Sequence, residues 1–352
     1  MKKNKSIKIY RDENLLNQVV FVDGQAGCGK TMLTAIVSSF KRVEIFNYAP
    51  EIENICILEY LNKISKDASE TMIKIQTDLC LYETMMSRRV NFRYNDLSSV
   101  FSNINSFKYF KRLFQKGDEI IPQRLKIEKP ILNYAVHNLL SFSNPIFRAL
   151  NNKFFIIEVI RHPLYMIIQN TINHRNMSKK NGSARQFRIY LKDKKYHFPH
   201  HFYNNEDLYK KLNPCEKAIY DIDFFTKRTT KFKKRLSTSK SKKLLTIPFE
   251  QFVLNPDIFI KLILSSLNTS FTSKTAKLLH KQKLPRKKIS DGIPLDVYKR
   301  FGWSPPVIGF SEKDELNKRR DFALKQKVSK KYLDILDEHS ENYEKKYLSN
   351  II

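Results

Sequence analysis

Eight consecutive residues, Gly24-Gln25-Ala26-Gly27-Cys28-Gly29-Lys30-Thr31, constrain this chain more than any other stretch. They fit G-x-x-x-x-G-K-[ST] in full. Glycines let a backbone curl so that its N–H groups converge, and a helix that follows turns its positive end to the same point. The flanks agree with this. Val19-Val20-Phe21-Val22-Asp23 reads as a buried strand, and residues 31–40 become helix-compatible. Strand, glycine loop and helix in that order predict a cradle for the phosphates of a nucleotide. Lys30 would bring a charge to the outer phosphates, and Thr31 a hydroxyl able to ligate Mg²⁺. An ordinary glycine-rich turn is the plain alternative.

Further apolar runs follow at intervals. Residues 43–48, 131–136, 154–160 and 244–249 read as strands, with another at 187–191 inside a polar, loop-like stretch from 179 to 201. Helical patterns cover 50–64, much of 79–114, 145–150, 163–173 and 256–267. Strands separated by helices predict an α/β fold, a P-loop-type parallel sheet flanked by helices. Residues 283–302 are loop-rich, and Ser304-Pro305-Pro306 marks a boundary. The division expected is an α/β domain over 1–303 and a charged helical C-terminal extension over 304–352.

The 352 residues carry 64 Lys and Arg against 35 Asp and Glu, a net charge of +29. Such a balance suits nucleic acid, an anionic cofactor or substrate, or a lysine-rich proteome, and it speaks to partners rather than fold. No nucleic-acid-binding motif accompanies it. The densest basic run, 227–243, contains no acid and reads as a solvated loop. Cys28, Cys56, Cys80 and Cys215 form no C-x-x-C pair, so neither a zinc knuckle nor a disulfide framework is expected. The N-terminal residues 1–13 lack an apolar signal core, and no apolar run approaches the roughly 18 residues of a membrane span. The expected compartment is the cytoplasm.

A nucleoside triphosphatase also needs a second strand ending in Asp to hold its metal. Here the strand 154–160 ends instead in Arg161-His162-Pro163, a cation suited to a second phosphate. With Ile157-Glu158-Val159-Ile160-Arg161-His162-Pro163-Leu164 beside the phosphate loop, the chain resembles the sulfotransferase superfamily. Ile247-Pro248-Phe249-Glu250-Gln251-Phe252-Val253-Leu254-Asn255-Pro256 is similar to that family's later strand and helix start. Pro285-Arg286-Lys287-Lys288 with Gly292 stands where the family has a late basic loop. The likeness is patchy and spans about residues 18–292. It departs where Lys30 follows the last glycine, as in triphosphatases, and where Gln169 replaces a serine.

The resemblance implies transfer of a sulfuryl group from 3′-phosphoadenosine-5′-phosphosulfate (PAPS) to a hydroxyl or amine. The loop Gly24, Gln25, Ala26, Gly27, Cys28, Gly29, Lys30 and Thr31 would hold the 5′ end. Arg161, Gln169, Arg286 and Lys287 would hold the 3′-phosphate side. His137, 24 residues before Arg161, would be the base, with Lys30 assisting at the reacting group, and no metal site is expected. His162, His197, His200 and His201 read as bystanders, the last three on a surface loop. Glu250 reads as structural. The competing readings are a P-loop kinase or triphosphatase using ATP with Mg²⁺, and a non-catalytic nucleic-acid-binding protein.

Overall fold

Val20 and Val22 bury into one apolar cluster while Val19 and Phe21 bury into another, so β1 (Gln18–Asp23) is covered on both faces. The computed structural model describes residues 7–349 other than 95, 97, 180, 181, 183–186, 194 and 195. The first six residues of the charged N-terminal stretch, parts of the polar 179–201 stretch and the last three residues of the chain lie outside the described residues.

β1 is central in a five-stranded parallel sheet. β3 (Ile131–Ala135) and β4 (Phe154–Ile160) flank it, β2 (Asn47–Tyr48) lies outside β3, and β7 (Leu244–Pro248) lies outside β4. β1 connects towards β2 and β4 towards β7, on opposite sides. The crevice beyond the carboxyl ends of β1 and β4 is therefore where a ligand collects in such a sheet. Helices Lys30–Val37 and Pro163–Met177 contribute to the cluster below one face, and helices Pro50–Tyr60 and Lys66–Met85 to the other. Each fully buried Val, Ile or Phe of β1 and β4 contributes on the order of 1.5–3 kcal/mol.

Several elements differ from the reading of the sequence. The strand expected at 43–48 contracts to Asn47–Tyr48. Glu44 is instead drawn into a buried ion pair with Arg112, at 2.9 Å, and Ile45 N donates to the Tyr109 hydroxyl at 2.5 Å. The helix through 79–114 breaks after Met85, where Ser87 turns left-handed (φ 58°), and resumes only at Ser106–Leu113. The strand expected at 187–191 is a hairpin of β5 (Tyr190–Asp193) and β6 (Tyr196–Pro199).

The basic run 227–243 is not a loop. Helix Pro214–Lys234 takes in its first half and a short helix, Thr238–Ser241, lies in the second; the long helix is started by a capping box between Asn213 and Glu216 with Pro214 in its first turn. The C-terminal residues form helices Glu312–Lys325 and Lys330–Tyr347. Their Leu316, Ala323, Tyr332 and Leu336 bury into the same cluster as Val20 and Val22. No helix among the described residues is long and apolar enough to cross a membrane.

Candidate functional site

β1 delivers its last residue, Asp23, to the loop, and the loop curls where glycine alone is at ease. Gly27 and Gly29 have φ of 84° and 92°. Gly29 caps helix Lys30–Val37, and a Cβ there would meet the Phe249 ring at 2.2 Å. Side chains from two elements beyond β1 hold the loop's carbonyls. Asn170 Nδ2 donates to Ala26 O at 3.1 Å and Arg161 Nη1 to Gly27 O at 2.9 Å. Lys30 is buried, and its Nζ donates back to Gln25 O at 3.3 Å.

A cavity of about 760 Å³ opens beside this loop. Gln25, Ala26, Gly27, Gly29, Lys30, Thr31, His137, Arg161, Gln169 and Arg286 all line it. Chain positions more than 250 residues apart are thus brought to one sheet edge. Gly24 and Cys28 lie beneath the loop rather than on the cavity wall. The Cys28 thiol is buried, and so are the other three, none of them in a disulfide. Lys287 is exposed and is not among the lining residues.

Part of the cavity wall is cationic. The Arg161 guanidinium lies over Phe249 at 4.4 Å and Tyr165 at 4.9 Å, with Glu250 3.8 Å from its Nε. Arg286 comes in from the late loop, and desolvation together with the charge of Arg161 lowers its pKa to about 10. The Nε atoms of Arg161 and Arg286 are buried without a hydrogen-bond partner among the described residues. Glu250 is fully buried, as a structural residue would be. It accepts from His162 N at 3.1 Å and from the Tyr343 hydroxyl at 2.6 Å, which ties the last helix to the end of β4.

His137 faces the cavity from two residues beyond β3, with 46% of its side chain exposed. Glu53, on helix Pro50–Tyr60, accepts from His137 N at 2.8 Å and lies 3.4 Å from Nδ1. A carboxylate only accepts, so this contact puts the ring proton on Nδ1 and leaves the Nε2 lone pair free. Although the ring is partly exposed, desolvation within the cavity, then the nearby charge of Lys30, pulls the His137 pKa below its usual value. The imidazole is therefore neutral near pH 7.

Asp23 holds the same segment from beneath. Its carboxylate accepts from Leu139 N at 2.9 Å and Leu140 N at 2.7 Å. Desolvation raises its pKa to about 6, against the pull of those bonds and of Lys30. A carboxyl raised in the folded state favours folding below its unfolded pKa and loses that contribution as pH climbs through 6. The unfolding free energy of Asp23→Asn minus that of wild type should thus grow by on the order of 3 kcal/mol between pH 3.5 and 7. Denaturant titrations at several pH values measure this, and a difference flat in pH would contradict it.

The remaining histidines divide. His197 is exposed, but His200 and His201 are buried, which corrects their reading as surface residues. The turn after β6 folds them against helix Pro214–Lys234, where Asp221 accepts from both His201, at 2.8 Å, and His174, at 2.9 Å. His162 caps helix Pro163–Met177, its Nδ1 accepting from Leu164 N. Sequence reasoning missed Glu53, Asp23 in its holding role and Arg319, which lines the cavity from the C-terminal helices. An acid three residues after Pro50 was visible, but nothing in the sequence linked it to His137.

No protein-family profile matches the sequence, and no curated protein matches it. Among the solved structures it resembles are several sulfotransferases. The sulfotransferase domain of the Synechococcus PCC 7002 olefin synthase overlays with a TM-score of 0.36 and 12% identity, covering 89% of this chain and 97% of that one. The sulfotransferase domain from the curacin biosynthetic pathway gives 0.38 and 12%, covering 86% and 97%. Sulfotransferase STF9 from Mycobacterium avium gives 0.38 and 10%, covering 89% and 77%. At these identities function is read from the site's own residues.

Proposed function

We propose that the chain is a sulfotransferase-like enzyme that binds PAPS and transfers its sulfuryl group to a hydroxyl or amine acceptor. One observation carries the reading. A lysine-bearing P-loop-like turn and a group of arginines share one cavity with a histidine whose Nδ1 faces Glu53. The residues fit such a donor. The buried Nε atoms of Arg161 and Arg286, without a hydrogen bond among the described residues, leave donors for an anion beyond the loop. The loop and Lys30 would hold the 5′ end, and Arg161, Gln169 and Arg286 the 3′-phosphate.

The bound donor would supply an electrophilic sulfuryl group. The chain's own part is electrostatic and acid–base. Lys30 and the N-terminus of its helix offset negative charge at the 5′ end. His137 Nε2 takes the acceptor's proton, and Glu53 stabilises the imidazolium that results.

Lys30-Thr31 keeps an ATP-dependent P-loop kinase as the second reading. Against it, the carboxylates nearest the loop are engaged. Asp23 accepts two backbone N–H bonds, and Glu53 holds His137. Calorimetry with adenosine 3′,5′-bisphosphate and, separately, with ATP plus Mg²⁺ decides between them. The bisphosphate should bind more tightly, and the reverse order would favour the kinase.

A further inference from the structure

Arg319 lies on helix Glu312–Lys325, in the stretch whose sequence reads as a charged extension, yet it lines the nucleotide cavity. Its guanidinium lies over the Tyr165 ring at 4.4 Å, the ring that also carries Arg161. Its Nε is buried without a hydrogen bond among the described residues, like those of Arg161 and Arg286. Glu315, one turn back on the same helix, stands 3.6 Å away. Burial lowers the Arg319 pKa, and the charge of Arg161 lowers it further.

The Glu312 carboxylate ties together the elements that carry the three arginines. Glu312 accepts from the Tyr165 hydroxyl at 3.2 Å and from Ile289 N at 2.9 Å. It thereby joins the helix that carries Arg319 to the helix following Arg161 and to the loop carrying Arg286. Glu250 stands 3.8 Å from Arg161 and Glu315 3.6 Å from Arg319, both beyond hydrogen-bond reach, so among the described residues the three guanidinium groups keep buried Nε donors for a further anion. A sulfate ester or phosphodiester brings one negative charge. A phosphomonoester brings nearly two above its second pKa near 6, with three acceptor oxygens for the guanidinium donors.

We propose that Arg319, supplied by the C-terminal helices, completes with Arg161 and Arg286 a site for a dianionic phosphomonoester on the ligand. This rests on the nucleotide reading above and extends it to a residue outside every motif of the sequence. In it the C-terminal helices are part of the binding site.

Calorimetry at pH 7.5 on wild type, Arg319→Ala, Arg319→Lys and the exposed control Lys318→Ala tests this, with adenosine 3′,5′-bisphosphate and adenosine 5′-monophosphate as probes. Arg319→Ala should weaken the bisphosphate about tenfold or more and the monophosphate by less than about threefold. Arg319→Lys should recover part of the loss, and Lys318→Ala should bind as wild type does. If thermal unfolding shows Arg319→Ala misfolded, the lysine variant carries the test, since it keeps the charge and stem but not the planar fork. In wild type the preference for bisphosphate over monophosphate should shrink from pH 7.5 to 5.5 as the 3′-phosphate takes up a proton. Equal losses for both ligands, no loss, or a preference flat in pH would overturn the inference and leave the nucleotide reading standing. Wild-type protein that ignores the bisphosphate would overturn the nucleotide reading itself.

Discussion

Replacing His137 with alanine should lower turnover by about 10²–10⁴-fold while adenosine 3′,5′-bisphosphate still binds within about threefold of wild type. The split follows from position. His137 is on the cavity wall formed by the loop after β3, whereas in the proposed reading the donor's anions meet the loop after β1, Arg161 after β4 and Arg286 of the late loop. Turnover is measured as release of the bisphosphate from PAPS with a panel of phenol, alcohol and amine acceptors. Because the His137 pKa lies below the usual value, the wild-type rate should fall only on the acid side of pH 6.5. Glu53→Gln keeps the side chain's shape and removes its charge, so it should lower the rate less than His137→Ala. A His137→Ala protein with wild-type turnover would end the assignment of His137 as base.

Lys30→Ala should weaken both adenosine 3′,5′-bisphosphate and adenosine 5′-monophosphate, by about 1.5–3 kcal/mol each. Lys30 is buried at the start of its helix, where an ammonium meets phosphate with little water to screen it. Both ligands carry the 5′ group, so the loss is common to both, unlike the selective loss expected at Arg319. Arg161→Ala gives a mixed result, because its Nη1 also holds Gly27 O. Removing it should loosen the loop as well as the second anion site. Unchanged affinity in Lys30→Ala, read by calorimetry, would show that nucleotides bind elsewhere.

The parts of the site that were legible in the sequence are contiguous ones. Gly24 to Thr31 declares itself because its geometry is local: glycine where φ is positive, then a lysine at a helix start. The turn at Arg161-His162-Pro163 is readable for the same reason, as proline opens the helix that ends β4. Helix Pro256–Leu267 has the bounds expected, since Pro256 starts it and a left-handed Asn268 stops it. What the sequence hid depends on packing. Glu53 meets His137 from 84 positions away, and Arg319 reaches Tyr165 only because Leu316 and Ala323 bury their helix in the core. A run of lysines looks solvated whether it is loop or helix, so the 227–243 stretch gave no sign of the capping box upstream. His200 and His201 hide for a related reason. Nothing local marks a histidine that a distant Asp221 will bury.

The ties that close the cavity have a kinetic side. Arg161 reaches Gly27 across 134 positions, Tyr165 reaches Glu312 across 147, and Arg286 approaches Met32 across 254. Contacts of such high order, like the β1–β4 pairing itself at 135 positions, must close long loops and are slow to form compared with the local helices. A nucleotide recognises only the finished arrangement, so it acts on folding by mass action. Ligand at a hundred times its dissociation constant adds about 2.7 kcal/mol to the folded state. Bisphosphate present during refolding should therefore raise the melting temperature and the yield of native chain while leaving the early collapse at its own pace.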